Sequence, residues 1–319
     1  LAGAPQPAAR RAVRGDDGGE PAMKLVRFGP QGRERVGAID ADGRLRDLSS
    51  AVPHLHLPDL GLRGLAQIER LRLHEFPLVR GRPRLDVPFT GISKFVAIGL
   101  NYADHAAEAG MPLPAEPIVF LKATTCINGP EGPLRLPAGS TRTDWEVELG
   151  VVIGRTARAV DVPQALRHVA GYCVVHDVSE RSWQLERGGT WDKGKGFDTF
   201  GPIGPWLVTA AEVPDPQALS LWLDVNGQPR QRGSTATMVF GVAQLVSYVS
   251  RCMTLLPGDV IATGTPPGVG MGMKPPQYLK AGDVVELGID GLGRQRQVVV
   301  DRSPPPPRAA LSAGGAAAR

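Results

Sequence analysis

The chain has only three cysteines in 319 residues, Cys126, Cys173 and Cys252, widely spaced and without a Cys-x-x-Cys pair. Such a set argues against a disulfide framework or a zinc site and fits a reducing compartment, the cytoplasm. Aromatic residues make up 5% and do not interleave with basic ones as a base-stacking surface would, so nucleic acid is not an expected partner. No apolar run approaches the length of a membrane span, and no membrane partner is expected. Residues 262–270 resemble a phosphate loop but lack Gly-Lys-Ser/Thr, and Gly268-Val269-Gly270-Met271-Gly272 has the wrong spacing for a dinucleotide fingerprint. No nucleotide or organic cofactor is therefore expected. Gly-x-Ser-x-Gly is absent too, which leaves a serine hydrolase without support.

The net charge of +4 is unevenly spread. Residues 61–84 hold six arginines against Glu69 and Glu75, and residues 302–319 hold three arginines and no acid, so the remainder is slightly negative. The basicity reads as a solvated surface on a peripheral segment and a tail. Hydrophobic residues at 42% and charged residues at 21% suit a soluble globular protein. Forty glycines and thirty prolines favour turns and short strands over long helices.

Residues 1–22, before Met23, lack the apolar core of a signal peptide and read as a disordered leader; residues 302–319, with Pro304 to Pro307, read as a disordered tail. Short strand patterns at 24–28, 35–39 and 45–48, then a helical stretch at 60–73, predict a small N-terminal β domain over 23–88. A catalytic domain over 91–301 follows, with strands predicted at 95–98, 118–121, 146–153, 171–176, 206–209, 221–225, 260–263, 284–289 and 296–300. Asn226-Gly227 is a hairpin signal, since both residues tolerate positive φ. Helices are predicted only at 103–109, 163–170 and 239–251. Without regular β-α alternation the fold class is α+β and β-rich, not a doubly wound sheet.

The run Thr143-Asp144-Trp145-Glu146-Val147-Glu148-Leu149-Gly150 alternates acids with apolar residues at the strand period. Glu146 and Glu148 then share one face, either solvated or gathered around a cation that offsets their repulsion. Asp177 ends the apolar run 171–176, where a carboxylate is costly to bury unless paired or liganded. Together the three form an all-oxygen donor set suited to Mg²⁺ or Mn²⁺, with Ca²⁺ also fitting. His176, one residue earlier, should point the opposite way, into the core. His105 and Glu108 sit three apart at the start of a short helix and share its face, the arrangement of a carboxylate-oriented base or of a surface ion pair. Lys122 at a strand end, and Lys193 and Lys195 in a glycine-rich run, are cations that either meet a carboxylate substrate or stay solvated. Thr265, in a tight turn, offers a hydroxyl and backbone N–H groups to a carboxylate.

In order along the chain, Gly99-Leu100-Asn101-Tyr102-Ala103-Asp104-His105, Phe120-Leu121-Lys122, Asp144-Trp145-Glu146-Val147-Glu148-Leu149-Gly150, His176-Asp177-Val178-Ser179, Lys195-Gly196-Phe197-Asp198 and Thr263-Gly264-Thr265-Pro266 resemble the motifs of the fumarylacetoacetate hydrolase family. The resemblance covers about residues 91 to 300. It implies a mixed β-roll behind a small N-terminal domain and a homodimer or higher homo-oligomer. Glu146, Glu148 and Asp177 would hold the metal, His105 with Glu108 would activate water, and Lys195 would add catalytic charge. Lys122, Gln184 and Thr265 would contact a small 2-oxo acid. The implied reaction is hydrolysis of the C3–C4 bond of a 2,4-diketo acid to pyruvate and a carboxylic acid. Alternatives are oxaloacetate decarboxylation, hydroxymuconate-type isomerisation or metal-dependent binding without turnover. The runs Arg181 to Gly189, Asp198 to Trp206 and Gly268 to Pro276 look most like the hydrolases of 2,4-diketo-3-deoxy-fuconate and rhamnonate. Leu100 stands where some family members, the oxaloacetate decarboxylases among them, carry Arg.

Overall fold

The computed structural model describes residues 23–108, 110 and 112–301, so the expected leader and tail lie outside the described residues. Eleven strands form one mixed sheet. Its main path runs Leu45–Asp47, Arg35–Ile39, Lys24–Phe28, Gly201–Thr209, Val169–His176, Val147–Ile153, Val260–Ala262, Phe95–Gly99, Ile118–Lys122. The central strands Val147–Ile153 and Val169–His176 are buried along their whole length, as their near-continuous apolar sequences require. A second, five-stranded sheet runs Gln228–Ser234, Ser220–Val225, Val284–Ile289, Gly293–Val300, Leu134–Arg135. Asn226 and Gly227 turn its first hairpin at φ 53° and 73°, the left-handed pair that matches strand twist.

The second sheet covers the face of the central strands opposite the acids. Gln295 Nε2 donates to the carbonyls of Val174 and Gly204, and Gln297 Oε1 meets His176 Nδ1 at 3.1 Å. His176 is therefore core, as its alternation predicts; burial in an apolar layer pushes its imidazole down to about 4. The N-terminal strands extend the main sheet instead of forming one of their own. Lys24 and Leu25 pair with Val208 and Leu207, and Leu25, Val36 and Leu48 belong to the same continuous core as Leu149, Val151 and Cys173 of the central strands.

Three helix expectations shift. The N-terminal helix spans Leu57–Glu69 and breaks at Gly61, whose φ is 50°. The helix expected at 163–170 stops early: Val162–Ala165 gives way to a tighter turn, and Val169 and Ala170 already belong to a strand. β-branched Val169 and the apolar run after it favour sheet pairing over another helical turn. The third begins at Val242, because Phe240 N–H is taken by Asn101 Oδ1 and Gly241 acts as its cap. Two short helices absent from the sequence reading, Arg181–Leu185 and Asp192–Lys195, frame the acids.

Candidate active site

Register assembles the acids. Val147 lies opposite His176, and Glu148 opposite Val175, across an antiparallel pair. One step further Asp177 N–H donates to the Glu146 carbonyl at 2.9 Å, so these two residues are direct cross-strand neighbours. Glu146, Glu148 and Asp177 consequently share one face while Val147 and His176 take the other. One carboxylate oxygen of each acid lies within 4.8 Å of the others, and all three residues are buried.

The protein's own cations neutralise two of the three. Lys195 Nζ reaches Glu146 Oε2 at 2.5 Å and Asp177 Oδ2 at 2.7 Å. Arg181 spans Glu146 Oε1 at 2.6 Å and Asp144 Oδ2 at 2.8 Å. Burial alone would raise the Glu146 carboxyl, but Lys195 and Arg181 overcome it and hold Glu146 well below the usual carboxylate range. Glu148 has no such partner among the described residues. Gly264 N–H donates to it at 2.8 Å, yet burial and the neighbouring charges of Asp177 and Glu146 push its carboxyl well above the usual range.

The short helices aim the cations. Gly194, between Lys193 and Lys195, abuts Gln184: a Cβ there would stand 2.6 Å from the Gln184 backbone nitrogen. Asp192 Oδ1 accepts the Leu121 N–H at 3.0 Å, and the Trp191 ring lies against Gly99, leaving no room for a side chain. These neighbours of Lys195 anchor the short helix that carries it, where the sequence suggested only a tight loop.

Residues 263–271 tie the acids to His105 and Glu108. Thr263 O accepts from Asn101 Nδ2, Gly264 serves Glu148, and Gly268 N–H donates to both Glu108 oxygens at 3.1 Å. Gly270 and Met271 N–H groups donate to Asp144. His105 Nδ1 meets Glu108 Oε2 at 3.2 Å, with the imidazole nearly buried and the Glu108 side chain partly exposed. Because an ionised carboxylate only accepts, Nδ1 carries the hydrogen, and in the neutral imidazole Nε2 carries the lone pair.

The remaining sequence candidates are all close but differ in freedom. Lys122 Nζ donates to Asp177 Oδ1 at 2.6 Å, to Val178 O and to Lys195 O, which engages its three hydrogens inside the protein. Thr265 Oγ1 donates to Val147 O and accepts from Gln231 Nε2, so its hydroxyl is also engaged. Gln184 accepts from Arg181 Nη1 at 2.9 Å through its carbonyl. The sequence reading gave no role to Arg181 or Asp144. Asp144 was visible as the first acid of the alternating run, and Arg181 as a cation four residues beyond Asp177; their pairing was not.

The donor set fits a hard divalent cation. Four buried acids, Asp144, Glu146, Glu148 and Asp177, face three buried cations, Lys122, Arg181 and Lys195, leaving one negative charge uncompensated. Glu148 is the carboxyl without a cation; burial and its anionic neighbours favour its protonated form until a cation takes the proton's place, and all donors are carboxylate oxygens. Site and fold together define a β-rich enzyme with a buried carboxylate centre beside a histidine–carboxylate pair.

A model described as the fumarylacetoacetate (FAA) hydrolase C-terminal region matches residues 94–300, and the chain belongs to that family. A Burkholderia multivorans protein named provisionally as a hydrolase is 64% identical over 277 residues, covering 86% of this chain and 98% of its own length. Fumarylacetoacetate hydrolase from psychrophilic Exiguobacterium antarcticum is 38% identical, with a TM-score of 0.79 over 88% of this chain and 100% of that one. The 5-carboxymethyl-2-hydroxymuconate delta-isomerase from Mycobacterium smegmatis is 35% identical, with a TM-score of 0.68 over 88% and 100% of the respective chains. The fold is the mixed β-rich roll of the family, with a small N-terminal β region.

Proposed function

We propose that the protein hydrolyses the C3–C4 bond of a 2,4-diketo acid, giving pyruvate and a carboxylic acid, with a 2,4-diketo-3-deoxy sugar acid as substrate and Mg²⁺ or Mn²⁺ as the ion. The observation that carries this reading is the attachment of His105 and Glu108 to the acid cluster through residues 263–271. A water-activating base held in fixed relation to the carboxylates is what hydrolysis requires and decarboxylation does not.

A divalent cation held by Glu146, Glu148 and Asp177 would polarise the 2-oxo acid as a Lewis acid. His105 Nε2 takes the proton of the attacking water, and Glu108 holds the ring and stabilises the imidazolium that results. Lys195 adds positive charge beside the carboxylates, where negative charge grows on the pyruvate half as the bond breaks. Arg181 fixes Glu146, and Lys122 fixes Asp177. A second reading, isomerisation of a hydroxymuconate-type diene, is favoured by the name of the Mycobacterium smegmatis relative.

Incubation with 2,4-diketo-3-deoxy-fuconate, acylpyruvates, oxaloacetate and a hydroxymuconate diene, each with Mg²⁺ or Mn²⁺, tests the proposal. Pyruvate released with an equimolar carboxylic acid and no CO₂ is the expected result. Diene absorbance shifting without cleavage supports the isomerase, CO₂ release supports a decarboxylase, and binding without turnover leaves a 2-oxo-acid binding protein.

A further inference from the structure

A cavity of about 740 Å³ opens between the N-terminal region and the second sheet, and none of the residues around it bonds to the acid cluster. Five arginines line it, Arg44, Arg80, Arg82, Arg294 and Arg296, against two glutamates, Glu131 and Glu286. Arg80 and Arg82 come from the basic segment that reads as solvated surface in the sequence. Arg294 and Arg296 stand two apart on strand Gly293–Val300 and project from the same face, away from buried Gln295 and Gln297.

The pairing is incomplete. Arg44 is matched by Asp40 and Asp42, and Arg82 meets Glu131 at 3.0 Å. Arg296 reaches Glu286 only at 3.9 Å, and no side-chain hydrogen bond or ion pair joins Arg80 or Arg294 to another described residue. The wall also contains Trp206, wedged against Gly293, whose Nε1–H is buried without a partner. Guanidinium groups lining one cleft repel one another unless an anion lies between them. The volume lies in the range of small-molecule sites, and the guanidinium fork matches the paired oxygens of phosphate and carboxylate.

We infer that this cleft binds a small polyanion with clustered anionic oxygens, at a site separate from the carboxylate centre. Arg80 and Arg294 are its principal contacts.

Calorimetric titration of the full chain at low salt, with tripolyphosphate and with citrate, tests this and separates a phosphate from a polycarboxylate ligand. One of the two should bind saturably at one site per chain. Exchange of both contacts, Arg80→Glu with Arg294→Glu, should weaken binding by about tenfold or more while turnover of the diketo acid stays unchanged. Should that double variant fail to fold, Arg80→Gln and Arg294→Gln, both at exposed positions, give the same reading with a smaller loss. Glu148→Gln, which alters the carboxylate centre, should leave polyanion binding intact. The inference is overturned if neither anion binds, if the arginine variants bind as well as the parent, or if Glu148→Gln abolishes binding. It is overturned equally if only duplex nucleic acid binds, or if the arginine exchanges change the mass of the assembly in sedimentation, which would make the cleft an interface between copies.

Discussion

The ammonium of Lys195 stands between Glu146 and Asp177, 2.5 Å from one carboxylate and 2.7 Å from the other. It offsets their repulsion in the metal-free protein and so competes with a divalent cation for the same oxygens. Lys195→Met should tighten Mg²⁺ or Mn²⁺ binding by about tenfold and lower kcat sharply, since the competing charge and the charge beside the reacting atoms are removed together. It should also destabilise the metal-free protein by about 3–5 kcal/mol, the scale for breaking a buried ion pair, with Mg²⁺ restoring much of the loss. Calorimetry and melting with and without Mg²⁺ read both effects; unchanged ion affinity would count against the shared site.

Glu148 supplies a cleaner test of the ion than Glu146. Glu146→Gln would take one of two carboxylate partners from each of Lys195 and Arg181, whereas Glu148 has no cation partner among the described residues to disturb. Burial and two neighbouring anions raise the Glu148 carboxyl, so it retains a proton beyond the usual carboxylate range, and liganding must expel it. Divalent affinity should therefore rise with pH across that range, and calorimetry in buffers of different ionisation enthalpy should show proton release. In Glu148→Gln the release should vanish and affinity should fall, with folding retained. Buffer-independent heats in the parent would refute the assignment.

The acids were legible because their chemistry follows from a local period. Alternation in 143–150 places Glu146 and Glu148 on one face, and an apolar strand ending in Asp177 needs only one pairing to bring it alongside. The partners that neutralise them were not legible. Arg181 meets Glu146 across 35 residues and Lys122 meets Asp177 across 55, separations that no local period encodes. Lys195 could be expected near a substrate but not on Glu146, because its direction depends on Gly194 packing against Gln184. The short helices were missed for the same reason: Arg181–Leu185 and Asp192–Lys195 are below the length at which periodicity registers and persist through packing.

His176 makes the fold sensitive to acid. Its imidazole is buried and neutral, with a pKa pushed down to about 4 from an ordinary 6.5. The unfolded chain binds the proton more readily in that interval, so this contribution to stability is complete above about 6.5 and is lost as pH falls toward 4. The full effect is about 3 kcal/mol. Urea unfolding at several pH values should show this slope in the parent and a shallower one in His176→Gln. Equal slopes would mean that other groups set the acid response.

Water activation is separable from substrate binding. His105 touches Glu108 and no carboxylate of the cluster, so His105→Ala should abolish carbon–carbon hydrolysis while leaving the affinity for oxalate, an inert chelating acid, nearly unchanged in the presence of Mg²⁺. Glu108→Gln should act more mildly, because Gly268 still holds the side chain and only the charge that favours the imidazolium is lost. Wild-type turnover in His105→Ala would assign the base elsewhere.

Leu100 bears on the choice of substrate. It occupies the left-handed region at φ 50°, directly before Asn101, whose amide is anchored to Thr263 and Phe240. The resemblance to the oxaloacetate decarboxylases implies that an arginine here meets the second carboxylate of a dicarboxylic acid, a charge that leucine lacks. The 2,4-diketo-3-deoxy sugar acids carry hydroxyls in place of that carboxylate, and buried polar groups that pair with hydroxyls reject analogues lacking them by large factors, about 10⁴ in favourable cases. Cleavage of 2,4-diketo-3-deoxy-fuconate or the rhamnonate analogue to pyruvate and lactate should therefore exceed oxaloacetate decarboxylation in kcat/KM by at least about 10² at equal Mg²⁺. Leu100→Arg should narrow the gap by improving KM for oxaloacetate. Faster CO₂ release from oxaloacetate in the parent would reverse the substrate reading while leaving the carboxylate centre and the family assignment as they stand.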